Sequence, residues 1–400
     1  MIESIIRKQY LDKIKPFIGK QIIKVLTGGR RVGKTTILFQ ISDYIKDWDK
    51  KSNIIYIDKE LHEFKSIKDS DDLYSFVNER VKKNRKNYIF IDEIQEIKDF
   101  EIALRQLFAE SHDIYCTGSN ARMLSGDLAT YLTGRYIEFR ISSLSYPEFL
   151  QFHKMPNDIS SLLKYIRYGG LPYLINLELT DEIVYGYLRS IYNTIVLKDV
   201  VARYNIRDID FLDRLTEYLS DNLGSYISSK KITDFLKSQR IKLSVNTVLN
   251  YLQYLCNAFF IEKVQRYDIQ GKKKFEVNDK FYFSDLGLKH SIIPYKTNDI
   301  AKVLENLVYN HLVNQGYTVY IGKLQNMEID FVAQKGDLTK YIQVSYLLSG
   351  PEAIEREFGN LLKIKDNFEK IVVSSDDLLY GNYKGIQHVR ILDFLIQTDS

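Results

Sequence analysis

The stretch Gly28-Gly29-Arg30-Arg31-Val32-Gly33-Lys34-Thr35 decides the fold expected for this chain of 400 residues. It satisfies the pattern G-x-x-x-x-G-K-[ST], between an apolar run that predicts a strand and a segment with helical periodicity. Glycines let successive backbone N–H groups point at phosphate oxygens, and the following helix presents its positive end to the same anion. The stretch therefore predicts a phosphate-binding loop (P-loop). A glycine turn that happens to precede Lys-Thr is the alternative, and its flanking elements argue against it.

The loop also predicts which residues hold the nucleotide. Lys34 is expected to reach the β- and γ-phosphates as a catalytic residue, and Thr35 to ligate Mg²⁺. No N-K-x-D tetrapeptide for guanine occurs, so the predicted cofactors are ATP and Mg²⁺. Arg30 and Arg31 face either phosphate or solvent. The predicted nucleotide-binding residues are Gly28, Gly29, Arg30, Arg31, Val32, Gly33, Lys34, Thr35 and Thr36.

Two carboxylates end the apolar run Tyr88 to Ile91. A hydrophobic strand that ends in acidic residues is the second feature that a P-loop hydrolase needs. We expect Asp92 to hold Mg²⁺, directly or through water, and Glu93 to orient the attacking water as its general base. Taken alone, the pair could be an acidic strand end that caps a helix. The accompanying P-loop favours the catalytic interpretation.

Two further residues are candidates for sensing phosphate. Asn120 follows the strand-like run Ile114 to Thr117 and is predicted to contact the γ-phosphate and the catalytic water, with Ser119 as the alternate. An Asn favoured in a turn is the other interpretation. Arg135, on a turn that contains Gly134, could neutralise charge on the transferred phosphoryl group in cis or from a neighbouring subunit. A surface arginine is the alternative there.

Changes in periodicity divide the chain into four predicted domains. Alternating strands and helices predict a P-loop ATPase core with a parallel sheet at residues 1–145, and helical periodicity predicts a lid or linker at 146–225. Two helices and a hairpin predict a winged helix at 226–290, and renewed alternation predicts a second α/β domain at 291–400. A chain of 400 residues is longer than one hydrophobic core usually accommodates, which agrees with a division into several domains.

The predicted winged helix carries twelve Lys or Arg against six Asp or Glu, so any acidic partner should meet residues 226–290. Ser244 to Leu255 is the predicted recognition helix, capped by Ser244. Its inward residues are predicted to be Val248, Leu249 and Leu252, and its outward residues Asn246, Asn250 and Gln253. Double-stranded DNA is therefore the predicted partner; a module that only packs against its neighbours is the alternative.

The hairpin is predicted to form the wing. Its arms are Phe260 to Val264 and Lys274 to Val277, around a turn at Gln270-Gly271-Lys272. Lys272-Lys273-Lys274 at its tip would contact DNA phosphate.

These residues together resemble AAA+-like ATPases of bacteria and archaea in which a P-loop domain precedes a winged helix and a restriction-endonuclease-like C-terminal domain. The resemblance covers nearly the whole chain and implies ATPase activity and this architecture, but no substrate. Its landmarks are Gly28 to Thr36, Tyr88 to Gln95, Thr117 to Asn120, Leu132 to Arg135, Leu144 to Phe149, Tyr168-Gly169-Gly170-Leu171-Pro172 and Leu197-Lys198-Asp199-Val200-Val201.

The last domain resembles the PD-(D/E)xK nuclease fold, which implies an acidic residue on a helix and carboxylates on adjacent strands. Glu305 and Asp330 match those positions, and Glu328 would share a strand face with Asp330. Where the family carries E-x-K, this chain has Gln343-Val344-Ser345. A neutral amide and a serine cannot replace the charge of the metal ligand and the ammonium, so the domain is predicted to be non-catalytic. Glu355-Arg356-Glu357 is interpreted as surface charge.

The leading functional hypothesis is an ATPase coupled to a DNA-binding C-terminal half. The alternative is an ATP-dependent switch that binds a protein partner, and an ATP-regulated nuclease ranks below both. No apolar run is long enough to span a bilayer, which predicts a cytoplasmic protein without a membrane partner. Whether the chain forms a homo-oligomer is left open.

Overall fold

The computed structural model describes residues 5–121, 132–241, 243–275, 279–376 and 381–397. The chain forms two compact units, one of Met1–Ser143 with Asn257–Phe259 and the other of Leu144–Cys256 with Phe260–Ser400. The first break therefore falls close to the boundary predicted at residue 145. The further division of the second unit at residues 225 and 290 stays a prediction.

The first unit is built on a parallel sheet. Its described strands pair in the order β2-β3-β4-β1-β5, all parallel. The strands are β1 Ile23–Thr27, β2 Asn53–Asp58, β3 Asn87–Asp92, β4 Asp113–Gly118 and β5 Tyr136–Arg140. The helices are α1 Lys8–Ile14, α2 Lys34–Trp48, α3 Ser70–Asn78 and α4 Phe100–Ala109. The mixed α/β fold with a parallel sheet is confirmed.

Burial explains why these strands lie in the middle of the sheet. Every residue of β1, β3 and β4 is buried, as expected for parallel strands covered on both faces. Because the strands are parallel, their carboxyl ends meet at one edge: Thr27 pairs with Gly118, and Asp58 with Asp92. The P-loop, Asp92 and the end of β4 therefore come together at the edge where open α/β sheets bind ligands.

The second unit begins with a helical stretch. Residues 144–225, all of them described, contain helices and no strand. The α-helices are α5 Tyr146–His153, α6 Ile159–Tyr168, α7 Asp181–Thr194 and α8 Ile209–Asp221, and Ile195–Ala202 forms a π-helix. The landmark 197–201 lies inside that π-helix.

The landmark glycines of this stretch have a structural reason. Gly169 has φ +76°, and a Cβ on it would lie 2.2 Å from Asp285 Oδ1. A Cβ on Gly170 would lie 2.4 Å from the Leu144 carbonyl oxygen, and its N–H donates to Asp285 Oδ2 at 2.9 Å. The close approach of Asp285 and of the Leu144 carbonyl group to Gly169 and Gly170 therefore depends on residues without side chains.

A three-stranded antiparallel sheet follows, in the order β6-β10-β7. Its elements are β6 Tyr226–Ile227, α9 Ser229–Ser238, α10 Val245–Asn257, β7 Ile261–Val264 and β10 Asp279–Phe283; between the last two lie β8 Arg266–Asp268 and β9 Lys273–Lys274. A helix, α10, forms over the segment predicted to be a recognition helix, and Ser244 Oγ accepts from Thr247 N at 3.1 Å as its cap; its role in recognition stays a prediction. Leu249 was expected to face inward but is 45% exposed. The assignment of these elements to a winged helix stays a prediction.

The predicted wing hairpin is wrong in its pairing. Strand β7 pairs with β10, whereas β8 pairs with β9 and, on its other side, with β11 Thr318–Leu324 of a larger sheet. All five residues of β10 are buried, and both residues of β9 are exposed. The buried strand is therefore the better partner for β7, and the lysine tip at residues 272–274 belongs to a different sheet. Val277, in the predicted second arm, lies outside the described residues.

The larger sheet has the order β15-β16-β14-β13-β12-β11-β8-β9. Its remaining strands are β12 Met327–Lys335, β13 Leu338–Val344, β14 Glu369–Ser374, β15 Asn382–Tyr383 and β16 Ile386–Arg390. The helices after β10 are α11 Leu286–Ile292, α12 Ile300–Asn314, α13 Pro351–Leu362 and α14 Ile391–Ile396. Helix α13 is the crossover between the parallel strands β13 and β14. Among the described helices, none has the length and apolarity to cross a membrane.

Candidate functional site

The P-loop leaves β1 and turns into α2 through two glycines with positive φ. Gly28 has φ +145°, and a Cβ on it would lie 2.1 Å from the Ile141 carbonyl oxygen. Gly33 has φ +95° and caps α2, which begins at Lys34. The backbone N–H groups of the first turn of α2 and the positive end of the helix dipole therefore point toward the loop. This is the backbone arrangement that accommodates phosphate.

The Lys34 ammonium lies inside the loop and is only 5% exposed. It donates to the carbonyl oxygens of Gly28 at 3.1 Å and Gly29 at 2.9 Å, and it lies 3.8 Å from Glu93 Oε1. The backbone thus holds the cation at the place where an anion would be bound.

Asp92 is buried at the carboxyl end of β3. Its Oδ1 accepts a hydrogen bond from Thr117 Oγ1, and its carboxylate is also bonded by the Thr35 side chain. Burial raises the pKa of Asp92 to about 6, although the bonds from Thr117 and Thr35 oppose the rise. The two predicted Mg²⁺ ligands, Thr35 and Asp92, therefore touch each other, and the neighbouring Glu93 and Asp58 carboxylates add negative charge that favours a divalent cation.

Glu93 lies beside Asp92 with φ +51°, a strained value for a residue with a side chain. Its N–H donates to Thr117 Oγ1 at 2.9 Å, and its Oε2 accepts from Ser119 Oγ at 3.0 Å and from Gln95 Nε2. Burial opposes ionisation of this group, but the Lys34 ammonium and these hydrogen bonds hold the pKa of Glu93 below its ordinary value. The side chain is thus an ionised carboxylate, as a general base must be.

The structure places Asn120 and Arg135 differently. Asn120 is buried and follows β4 at the P-loop edge of the sheet. Arg135 precedes β5, whose first residue pairs with Ile23 and whose last residue, Arg140, pairs with Thr27. Arg135 therefore lies at the opposite edge, about 15 Å of strand away, with its guanidinium over the Phe108 ring. This position does not bring Arg135 to the P-loop of its own chain, and a role for it, in cis or from a neighbouring subunit, stays a prediction.

Several residues of this site were missed in the sequence. Thr117 joins Asp92 to Glu93, and Gln95 holds the Glu93 carboxylate together with Ser119, which was predicted only as the alternate to Asn120. Arg7, buried and remote in the chain, donates to the carbonyl oxygens of Val32 at 3.0 Å and Ser142 at 2.8 Å. The hydroxyl and amide residues could have been found from their position at strand ends, whereas no local pattern marks Arg7.

These residues fit Mg-ATP by their donor chemistry. The loop offers backbone N–H groups and the Lys34 ammonium for phosphate, and Thr35 and Asp92 offer the oxygen ligands that Mg²⁺ prefers. When bound, the metal would supply the positive charge that offsets the developing negative charge on the phosphates. Thr36 is exposed, and Arg31 is exposed at φ +62°. The roles assigned to individual loop residues stay predictions.

A second charged cluster lies in the second unit, around the predicted nuclease-like residues. The Lys280 ammonium donates to Glu305 Oε1 at 2.8 Å and Glu328 Oε1 at 2.7 Å, and Tyr282 OH also donates to Glu305. Although burial opposes ionisation, the Glu305 and Glu328 carboxylates raise the pKa of Lys280. A lysine is therefore present beside the acidic residues, but it comes from β10 and its bonds bind the cluster together.

The remaining polar residues of this cluster are also hydrogen-bonded, through both backbone N–H groups and side chains. Pairing of β12 with β13 ends at Phe331 and Ile342; beyond it, Asp330 Oδ2 accepts from Val344 N at 2.7 Å, and Gln343 Oε1 accepts from Asp330 N at 2.8 Å. Gln343 Nε2 donates to Glu357 Oε2 at 2.9 Å. Glu357 was interpreted as surface charge, but it is 5% exposed because its carboxylate binds Gln343 across the core face of α13.

Two comparisons with protein families match parts of the chain. Residues 20–150 match the family described as AAA domain, and residues 159–299 match a domain of unknown function (DUF8612). The second match runs across the boundary predicted at residue 225. The AAA match bears out the AAA+-like P-loop core, while the nuclease-like C-terminal domain has no support in these matches and stays a prediction.

Full-length relatives and a solved structure complete the comparisons. An uncharacterized protein of Haemophilus influenzae is 37% identical over 400 residues, 98% of each chain. The uncharacterized protein MJ1544 of Methanocaldococcus jannaschii is 32% identical over 393 residues, 89% of this chain and 86% of that one. The ADP complex of Hsp104 from Saccharomyces cerevisiae matches 78% of this chain and 43% of that chain, with 13% identity and a TM-score of 0.33, too low to support a conclusion.

Proposed function

The chain belongs to the same family as the Haemophilus influenzae and Methanocaldococcus jannaschii proteins and contains an AAA domain, and on this basis we propose that it binds Mg-ATP and hydrolyses it. The observation that carries the proposal is the convergence of Lys34, Thr35, Asp92 and Glu93 at one edge of the parallel sheet. In the proposed mechanism, the P-loop and Lys34 bind the triphosphate. Thr35 and Asp92 hold Mg²⁺, and Glu93 accepts the proton of the attacking water.

The test separates binding from hydrolysis. Glu93→Gln keeps the size and hydrogen bonds of the side chain but removes its basicity. We expect it to bind ATP as the unmodified protein does and to lower kcat by about 10²- to 10⁴-fold. Lys34→Ala should lose ATP binding. Glu96→Gln is the matched control, because Glu96 is an exposed carboxylate three residues away, and it should retain full turnover. Full turnover by Glu93→Gln would contradict the proposed mechanism.

DNA binding is the second proposed function, and the exposed face of α10 favours it. Asn246, Leu249, Asn250 and Gln253 are exposed at i, i+3, i+4 and i+7, so amide groups and one leucine share a face of the helix. Asn and Gln side chains pair with adenine edges, and an apolar side chain contacts the thymine methyl group. We propose that this face enters the major groove of double-stranded DNA.

The alternative is an ATP-dependent switch whose partner is a protein. Steady-state ATP turnover with and without duplex DNA distinguishes the two. An ATPase coupled to DNA changes its turnover when DNA is added and loses that response in Asn250→Ala. A switch for a protein partner turns over slowly, and DNA has no effect on its rate.

A further inference from the structure

The last residue of α10 and the two residues that follow it belong to the compact unit of the P-loop. Asn257 is the last residue of α10, and Asn257–Phe259 group with Met1–Ser143 rather than with the remainder of their own region. The chain therefore makes a short excursion into the nucleotide-binding unit directly after the helix that we propose to bind DNA. We call Asn257–Phe259 the coupling segment.

The coupling segment contacts the nucleotide site at two points. A Cβ on Gly29 would lie 3.6 Å from the Phe259 carbonyl oxygen and 3.8 Å from Phe259 Cβ, so the P-loop backbone lies directly against this residue. The Asn257 carbonyl oxygen accepts a hydrogen bond from Ala121 N at 2.8 Å. Ala121 is the next residue after Asn120, the predicted γ-phosphate sensor. The segment thus touches both the loop that holds phosphate and the strand end that senses it.

The backbone of Phe259 is strained, and its side chain is held in place. Phe259 has φ +55°, a conformation that is an outlier for a bulky residue. Its side chain is buried, and the Arg140 guanidinium lies 5.2 Å from its ring centroid, within reach of a cation–π contact. Strain of this kind persists only where the surroundings over-determine the conformation, and it concentrates at switches and ligand sites.

Binding of a triphosphate must disturb both contact points. The Lys34 ammonium now bonds to the Gly29 carbonyl oxygen at 2.9 Å and has to leave it to reach phosphate, which changes the backbone that lies against Phe259. A γ-phosphate contact by Asn120 would fix the position of the neighbouring Ala121 N–H. We propose that the coupling segment transmits the nucleotide state of the P-loop to α10, with Phe259 as its positioning residue. This inference rests on the ATP-binding function proposed above.

Hydrogen–deuterium exchange of the full-length protein, with and without Mg²⁺ and a non-hydrolysable ATP analogue, tests the proposal without any assumption about the partner. Peptides from 28–36 report nucleotide binding, and peptides from 245–256 report the response of α10. We expect the analogue to slow exchange in both regions of the unmodified protein, by about fivefold or more in α10. In Phe259→Ala, the P-loop peptides should still be protected and the α10 peptides should no longer respond.

Phe275→Ala is the matched control. It removes an identical ring that lies in the other compact unit. This ring is also contacted by basic side chains, Arg266 at 5.1 Å and Lys323 at 5.2 Å from its centroid. Both responses should survive in it. If Phe259→Ala does not fold, Arg140→Met removes the cation from the ring and should weaken the α10 response. Protection of the P-loop without any α10 response in the unmodified protein, or an unchanged response in Phe259→Ala, would overturn the inference; an unprotected P-loop would instead refute ATP binding.

Discussion

At the scale of single residues, Asp92 shows how the chemistry of a candidate site can reduce the stability of the fold. The carboxylate is 1% exposed, and its pKa of about 6 in the folded protein compares with about 3.9 in an unfolded chain. Below pH 4 the group is protonated in both states. As the pH rises from 4 to 6, the unfolded chain ionises first, so stability falls by about 2 to 3 kcal/mol from this group alone.

Asp92→Asn should therefore make the nucleotide-free protein more stable at pH 7.5, by about 2 kcal/mol, and flatten the loss between pH 4 and 6. The same change should abolish Mg²⁺-dependent turnover, because an amide gives the metal no charge. Urea denaturation of both proteins across this pH range measures the first effect. An Asp92→Asn protein that is less stable than the unmodified one at pH 7.5 would contradict the argument.

The residues around Asp92 also show what the sequence could predict at this scale. Lys34, Thr35, Asp92 and Glu93 could be predicted to lie together because the spacing of the P-loop and the ends of parallel strands are properties of short segments. Arg7 was not found, because its carbonyl partners lie 25 and about 135 residues away. Arg135 lies far from the P-loop because the parallel strand β5 begins directly after it. Its spacing after β4 in the sequence does not reveal this.

At the scale of elements, Lys280 ties strand β10 to helix α12 and strand β12. Its ammonium is 5% exposed and bonds two carboxylates, Glu305 and Glu328. Removing one partner of a buried ion pair leaves an uncompensated charge, so Lys280→Met should cost about 3 to 5 kcal/mol in unfolding free energy.

Lys263→Met is the control for Lys280. Lys263 pairs with Asp279 at 2.9 Å but is 42% exposed, and an exposed pair contributes at most about 1 kcal/mol. Chemical denaturation measures both variants. Pairing Lys280→Met with Glu305→Gln should recover part of the loss, because the buried charge goes with its partner; equal losses in the two single lysine variants would contradict a buried, coupled cluster.

Glycines make a second contrast between elements. Gly169→Ala should destabilise the protein by about 2 to 4 kcal/mol, because the residue has φ +76° and its new Cβ would meet Asp285 Oδ1. Gly186→Ala should instead stabilise it by about 0.5 to 1 kcal/mol, since Gly186 lies within α7 and a Cβ there meets nothing within 4 Å. Thermal unfolding of the two variants should shift in opposite directions.

Strand pairing was the least predictable feature at this scale. The run Ile261–Val264 was correctly expected to be a strand. Its predicted partner, however, was the segment that follows the nearest turn in the sequence. The pairing that forms depends on which strand buries its side chains. Strand β8, which lies between β7 and β10 in the chain, pairs with β11, more than fifty residues later. Local turn signals carry no information about such a partner.

At the scale of the whole molecule, the reassigned hairpin changes which lysines should matter for DNA. Lys273 and Lys274 form β9, the exposed edge strand of the eight-stranded sheet, where lysine protects a strand from unwanted pairing, and Lys272 lies in the turn before it. Three exposed lysines, Lys230, Lys231 and Lys237, lie on α9, the helix that precedes α10. In a helix-turn-helix arrangement, the first helix crosses the phosphate backbone while the second enters the groove.

If α10 is the recognition helix, Lys230→Ala should weaken binding to every duplex and reduce the slope of log K against log salt by about 1, because one phosphate contact is lost. Asn250→Ala should leave that slope unchanged and reduce discrimination between sequences, by about 1 to 3 kcal/mol at one base pair. Lys273→Ala, a lysine of the same length on the hairpin, should change neither quantity. Fluorescence anisotropy over a salt series measures all three. A slope that falls for Lys273→Ala and not for Lys230→Ala would assign the phosphate contacts to the hairpin edge, and the orientation proposed for α10 would then be wrong.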